Sequence, residues 1–155
     1  MLTAHLPAGY VLARRWPRAA PGIVPAALVA SVLPDTDLVF FYLVDDRAIH
    51  HHRYWVHVPA FWLAVAAIVL PLLRRSRYLP AALAFLAAIF LHLALDTIGG
   101  GILWLAPFSD RMVELVTVPA TRSHWVASFV LHWTFLLELG IWGTAIALFL
   151  KGRRT

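Results

Sequence analysis

The sequence predicts an all-α protein, an integral membrane bundle of about four transmembrane helices with a Gly-rich loop that is partly re-entrant or interfacial. The first observation behind this prediction is composition: 61% of the 155 residues are hydrophobic and only 14% are charged, as is typical of membrane proteins. The second is that the apolar residues fall into four segments. Each is close to the roughly 20 residues that a helix needs to cross a bilayer.

The predicted spans cover residues 22–44, 55–73, 79–98 and 125–150. No repeat, low-complexity tract or long linker divides the chain, so we expect residues 1–155 to form one domain. The longest connection follows the third span and begins with the apolar stretch GGGILWLAPF. Irregular backbone at membrane depth needs protein or water around it. We therefore expect this loop to dip into the bilayer or to lie along its surface.

The basic residues predict the orientation of the spans. If four spans alternate, nine of the thirteen basic residues share one side: Arg14, Arg15, Arg18, Arg74, Arg75, Arg77, Lys151, Arg153 and Arg154. The other side holds Arg47, Arg53, Arg111 and Arg122. The positive-inside bias then predicts that both termini are cytoplasmic. Because the positive charges cluster at span ends, the net charge of +5 needs no nucleic acid partner.

Ionisable residues inside the predicted spans are the candidates for function. The chain has no cysteine, so disulfides, thiolate metal sites and cysteine nucleophiles are excluded. Chemistry therefore depends on oxygen and imidazole. Ionisable side chains are costly in hydrocarbon and indicate function there. Those within or bordering the spans are Asp35, Asp37, His52, Arg53, His57, His92, Asp96, His124, His132 and Glu138.

Several of these groups are predicted to share one depth. At a rise of 1.5 Å per residue, Asp37, His92 and His132 lie roughly 9–10 Å below the outer ends of their spans. Asp96 and His57 lie nearer the surface. His92 and Asp96 are four residues apart in HLALD, which puts both on one helix face. Imidazole and carboxylate without sulfur suit zinc, manganese or iron. The leading predicted ligands are Asp37, His57, His92 and Asp96.

The stretch SVLPDTDLVFF places two carboxylates in the first span. Pro34 followed by an Asp side chain suits a helix start. We therefore predict a break that turns Asp35 and Asp37 inward. Asp35 is a candidate base as well as a candidate ligand, and the sequence leaves open which of the two contacts a metal. Arg53 is a candidate clamp for an anionic phosphate, although a long basic side chain at a span end also suits the membrane interface.

The motifs LPDTD, HRYWVH and HLALDTIGGGILWLAPFSDR, followed by HWTFLLELGIW, occur in an order that resembles the YdjM-like family of inner-membrane metal-dependent hydrolases. The resemblance covers most of the chain, and His52, Arg53 and His57 match its HRxxTHS motif. It implies a hydrolase with one to three divalent metal ions, zinc first, with manganese or iron as alternatives. Val56 and Val58 stand where the family usually has Thr and Ser, which implies a different substrate or a reduced activity.

The family is in turn similar, more remotely, to zinc-dependent phospholipase C and related nucleases. That order of residue types is met by His5, Asp35 or Asp37, His57, His92 with Asp96, His124 or His132, and Glu138. The resemblance thus adds His5, His132 and Glu138 to the implied ligands. His5 reaches the site only if the N-terminus forms a half-span. Glu138 lies about 9 Å deeper along its helix than His132, so it needs a tilt or an indirect role.

The predicted function is hydrolysis of a membrane lipid phosphoester by a metal-activated water, at a site in the outer half of the bilayer. A lipid amide hydrolase, similar to a ceramidase, stays open, with Arg53 favouring phosphate. A small transporter or ion relay is the non-enzymatic alternative, although the inner halves of the second and third spans lack polar groups. A third interpretation is that the polar groups only join the helices. The sequence predicts no oligomeric state.

Overall fold

The computed structural model describes residues 3–17 and 20–152, and this part of the chain is helical with no strands. The helices are α1 (His5–Arg14), α2 (Ile23–Ala30), α3 (Asp37–Leu43), α4 (Pro59–Leu73), α5 (Leu79–Thr97), α6 (Trp125–Val130) and α7 (Phe135–Gly152). Short 3₁₀ turns occupy Pro34–Thr36, His51–Arg53 and Trp55–His57. The all-α prediction is confirmed.

The described chain has fewer membrane-spanning helices than the four predicted. Helices α5 and α7, with 19 and 18 residues, are long and apolar enough to cross a bilayer. A third candidate is α2 together with Pro34–Leu43, two segments that bend by 45° at the break between them. Helix α4 has only 15 residues. The structure therefore supports two spans, or three if the bent pair counts as one, and the predicted number was wrong.

Local backbone structure shortens two of the predicted spans. The span predicted at 55–73 loses its start because Trp55–His57 forms a 3₁₀ turn, and α4 begins at Pro59, whose missing N–H is tolerated in a first turn. The span predicted at 125–150 is divided between α6 and α7. At the break between them, His132 Nδ1 lies 3.0 Å from Thr134 Oγ1. The hydropathy of the sequence does not reveal either interruption.

Helix α5 lies at the centre of the bundle and packs against α1, α2 and α4, while α1 also packs against α2 and α7. Small residues allow these helices to approach closely. A Cβ added at Gly9 on α1 would lie 2.6 Å from Ser31 Cβ, just after α2. Only glycine fits such a contact. The packing brings the start of α1 and the end of α2 onto the same face of α5.

The connection between α5 and α6 begins inside the bundle and ends outside it. Gly101, Ile102 and Leu103 are buried, and Ile102 forms an isolated antiparallel bridge with Val113. Phe108, at the far end of the turn, is 95% exposed. The apolar start of this loop is thus surrounded by protein, as irregular backbone at membrane depth requires.

Candidate metal centre

Ionisable side chains from five segments meet at the C-terminal end of α5. They are His5 from α1, Asp35 and Asp37 from the break after α2, His51 and His52 from one 3₁₀ turn, His57 from the next, and His92 and Asp96 from α5. All of them except Asp35 and His51 are buried. The structure thus gathers five elements around one carboxylate.

Asp96 is the centre of the cluster. On α5, His92 Nε2 lies 2.9 Å from Asp96 Oδ2, as the four-residue spacing predicts. The Nε2 atoms of His57 and His52 approach the same oxygen at 3.5 and 3.7 Å. His5 Nε2 lies 3.0 Å from the other oxygen, Oδ1. Four imidazole nitrogens therefore surround one buried carboxylate.

Hydrogen bonds fix how three of these rings are turned. His92 Nδ1 donates to the Ser31 carbonyl at 2.8 Å, and His52 Nδ1 donates to the Gly101 carbonyl at 2.9 Å. A carbonyl can only accept, so each of these rings has its proton on Nδ1. His57 Nδ1 lies 2.6 Å from Asp37 Oδ2, and an N–H donor is what a carboxylate requires. The Nε2 atoms of all three rings are thereby left facing Asp96.

The clustered imidazole nitrogens and carboxylate oxygens require positive charge between them. His57 Nε2 and His92 Nε2 are only 3.3 Å apart, and both lie near Asp96 Oδ2. Lone pairs at such distances repel one another unless protons or a metal cation lie between them. Burial lowers the pKa of His52 to about 3, so its ring is neutral, as a metal-ligating imidazole must be. The donors therefore fit a divalent ion.

The side chains form two adjacent groups with the spacing of metal ligands. In each group the ligand atoms lie within 4.8 Å of one another: His5, Asp35, His92 and Asp96 in one, His51, His52 and His57 in the other. Beside the second group, Asp37 Oδ1 and His51 Nδ1 are 3.6 Å apart, and neither has a hydrogen-bond partner among the described residues. Nitrogen and carboxylate oxygen without sulfur match the predicted preference for zinc, manganese or iron.

Most of the predicted site residues lie in this cluster. Asp35, Asp37, His52, His57, His92, Asp96 and His5 are brought together. His5 arrives on the ten-residue helix α1, the short N-terminal segment that its placement required. Asp37 gives one oxygen to His57, so the structure makes it a support for that ring. Asp35 Oδ1 lies 3.8 Å from His92 Nε2 at the more open edge.

Other predicted residues lie elsewhere. His132 is beside Thr134 in the break before α7, and His124 accepts from Val126 N at the start of α6. Glu138 is fully buried but accepts hydrogen bonds from Thr3. The structure thus places the implied ligands His132 and Glu138 outside both metal-ligand groups of the described chain. Arg53 is exposed, in the same 3₁₀ turn as His52.

The sequence interpretation missed His51 and the residues that support the rings. His51 lies in a run of three histidines that resembles a solvated loop. The 3₁₀ turn that contains it directs it towards Asp37. Gly100 makes room for His52, because a Cβ there would lie 2.6 Å from His52 Cε1. No sequence signal marked the Ser31 carbonyl, whose role depends on the packing of α2 against α5.

Fold and site together define a helical membrane protein with a buried histidine–carboxylate cluster suited to a divalent cation. The chain belongs to the YdjM inner membrane protein family, whose model matches residues 2–152. No curated protein and no solved structure matches it. The resemblance given by LPDTD, HRYWVH and HLALD is therefore confirmed at the level of the family, and so is the inner membrane location.

Proposed function

We propose that this protein is a membrane-embedded, metal-dependent hydrolase that acts on a lipid phosphoester. The observation that supports the proposal most directly is the arrangement around Asp96 Oδ2. The Nε2 atoms of His92, His57 and His52 converge on that oxygen while the Nδ1 atom of each ring is held elsewhere. Imidazoles that bind metal through one nitrogen and donate from the other are the usual pattern of metal sites.

The two groups of donors suggest how ions would be held. His5, His92 and Asp96, with Asp35 at the edge, would hold one ion, and His51, His52 and His57 would hold a second. Asp37 would act on the second ion through His57, because a carboxylate on Nδ1 orients the ring and raises its basicity as a ligand.

Hydrolysis needs an activated water, a base and a site for the phosphate. A divalent ion held by these residues would activate water near neutral pH and polarise the phosphoryl group. Asp35 is the carboxylate we assign to orient the attacking water and accept its proton, because its side chain is 34% exposed whereas that of Asp96 is 2% exposed. Arg53 follows His52 directly and remains exposed, so it can bind an anionic phosphate oxygen.

We propose that the site faces the outer half of the membrane. Helix α1 runs from the cluster at His5 towards Arg14, and α5 runs towards the cluster from the basic segment 74–77. Arg14 lies against Gly152 at the end of α7. These basic residues are therefore at helix ends opposite the cluster, and the positive-inside bias assigns those ends, with the C-terminal end of α7, to the cytoplasm. Labelling of single cysteines introduced at Arg77 and Phe108 in intact cells would test this orientation.

The test of the function is metal content together with lipid hydrolysis. Protein purified without chelator should contain at least one equivalent of zinc, manganese or iron by elemental analysis. A panel of phospholipids and ceramides is then scored separately for phosphate and fatty-acid release. We expect phosphate release that is lost with chelator and restored by metal. Fatty-acid release instead would identify an amide or acyl-ester hydrolase, and a protein without metal under any condition would overturn the proposal.

A further inference from the structure

Glu138 is a buried carboxylate that the proposed chemistry does not use. It is fully buried in the first turn of α7. Its Oε2 atom accepts hydrogen bonds from Thr3 N at 2.9 Å and from Thr3 Oγ1 at 2.7 Å. Thr3 Oγ1 in turn accepts from Trp142 Nε1, one helical turn further along α7, at 3.2 Å. Two side chains of α7 therefore hold one residue near the N-terminus.

Thr3 is two residues from His5, which is the contribution of the N-terminal segment to the cluster. His5 is the first residue of α1, and no side chain caps that helix start. Its Nε2 atom lies 3.0 Å from Asp96 Oδ1, and its ring stacks on His92 with centroids 3.8 Å apart. Terminal segments lose order unless they are tied down. The contacts of Thr3 with α7 provide that attachment.

We infer that Glu138 is a positioning residue, which acts through Thr3 to hold His5 against Asp96 and His92. This inference rests on the proposed function only for the metal that His5 would help to hold. A carboxylate buried in an apolar helix is costly unless it is hydrogen-bonded. If residue 138 only stabilised the fold, an apolar side chain there would pack against the N-terminal segment without that cost. Two bonds from one oxygen to Thr3 instead specify where the segment lies.

The absence of cysteine from the chain allows a direct test of His5 placement. The pair His5→Cys and His92→Cys, joined by a short bis-methanethiosulfonate that reacts with both thiols and releases methanesulfinate, reports whether α1 begins beside α5. Adding Glu138→Leu should lower cross-linking about tenfold, since two hydrogen bonds to a buried group are lost. Adding Glu138→Gln should restore it, because the amide oxygen still accepts from Thr3. Equal cross-linking in the Leu and Gln backgrounds would overturn the inference.

A second measurement uses the protein with its histidines intact. Zinc affinity should fall roughly tenfold in Glu138→Leu, as expected for a residue that supports a ligand, and stay near wild type in Glu138→Gln. The matched control is Glu114→Leu, which removes the other, exposed glutamate. If Glu138→Leu does not fold, Thr3→Val removes one of the two donors without altering α7. It should then lower both cross-linking and affinity in folded protein, and no change in either would contradict the inference.

The two measurements separate the two proposals. Wild-type protein that binds no metal, with cross-linking that still depends on Glu138, would overturn the hydrolase and leave the positioning role. Wild-type protein that binds metal equally well with Leu or Gln at position 138 would overturn the positioning role and leave the hydrolase. A loss of thermal stability in Glu138→Leu with unchanged zinc affinity would show that the contact is only structural.

Discussion

Helix α5 has a histidine and a carboxylate near one end, and so does the segment that includes the break before α7 and the first turn of α7, yet only the pair on α5 enters the cluster. His92 and Asp96 are four residues apart on one helix face and lie 2.9 Å from each other. His132 and Glu138 are six residues apart, and a break in the chain separates His132 from α7. The first pair meets side chains from four other segments, whereas in the second pair His132 contacts Thr134 and Glu138 accepts from Thr3.

The difference shows that residue type and predicted depth do not determine whether a histidine becomes a candidate metal ligand. His92 becomes a candidate ligand because the Ser31 carbonyl accepts from its Nδ1 and turns Nε2 inward. His132 instead directs Nδ1 to Thr134, two residues away in sequence. Both histidines lie at similar predicted depths in apolar segments. What distinguishes them is the partner of the second ring nitrogen, which a neighbouring helix supplies only to His92.

Of the substitutions that compare the two regions, replacement of Asp96 should have the largest effect on zinc affinity. Asp96→Ala removes the carboxylate on which four imidazoles converge, so zinc affinity should fall by more than about 100-fold. Isothermal titration against a competing chelator measures the change. Glu114→Ala, which removes an exposed carboxylate, is the control. Metal content equal to wild type in Asp96→Ala would remove Asp96 from the centre of the site.

Replacing each of the two histidines by alanine, one at a time, tests the comparison most directly. His92→Ala should lower zinc affinity about 100-fold, while His132→Ala should leave it within about threefold. Elemental analysis of both purified variants at equal zinc concentrations gives the ratio. If His132→Ala loses as much metal as His92→Ala, the break before α7 does not keep that ring from the site.

The effect of Asp37 should be smaller because it acts through His57. Asp37→Asn preserves the size of the side chain but weakens the 2.6 Å contact with His57 Nδ1. Loss of such a partner typically lowers metal affinity roughly 10- to 100-fold. Chelator competition at one fixed pH measures the affinity. A loss equal to that of Asp96→Ala would indicate that Asp37 contacts the ion itself.

Substitutions at two glycines should have the smallest effects on zinc affinity. Gly100→Ala would place a Cβ 2.6 Å from His52 Cε1, and the displaced ring should weaken zinc binding roughly three- to tenfold. Gly143 on α7 has nothing within 4 Å of an added Cβ, so Gly143→Ala should change affinity by less than about twofold. Equal affinities in the two variants would mean that His52 contributes little to metal binding.

The sequence predicted those parts of the structure that depend on spacing along one element. The four-residue interval between His92 and Asp96 predicted a shared face, and Pro34 predicted the break that turns Asp35 and Asp37 inward. The number of spans was wrong because hydropathy averages over the 3₁₀ turn at Trp55–His57 and the break near His132. Neither interruption changes the apolar character of its segment.

Contacts between distant segments could not be predicted from residue type alone. His5 was implied only by resemblance, since nothing near it in the sequence shows that α1 packs on α5. His51 was missed because a run of histidines in a connection has no periodicity to give its direction. Glu138 was implied as a ligand by its order in the chain, whereas its burial is explained by Thr3, a partner 135 residues away.

That separation of 135 residues also bears on biosynthesis. During translation, residue 3 leaves the ribosome long before residue 138 exists, so the first segment waits for its anchor while the intervening helices insert. If Glu138 positions His5 as we infer, His5 is held against α5 only after the beginning of α7 has entered the bilayer. A chain interrupted before α7 would therefore reach the membrane without the contact that holds Thr3, and the cluster would be completed only in chains that contain α7.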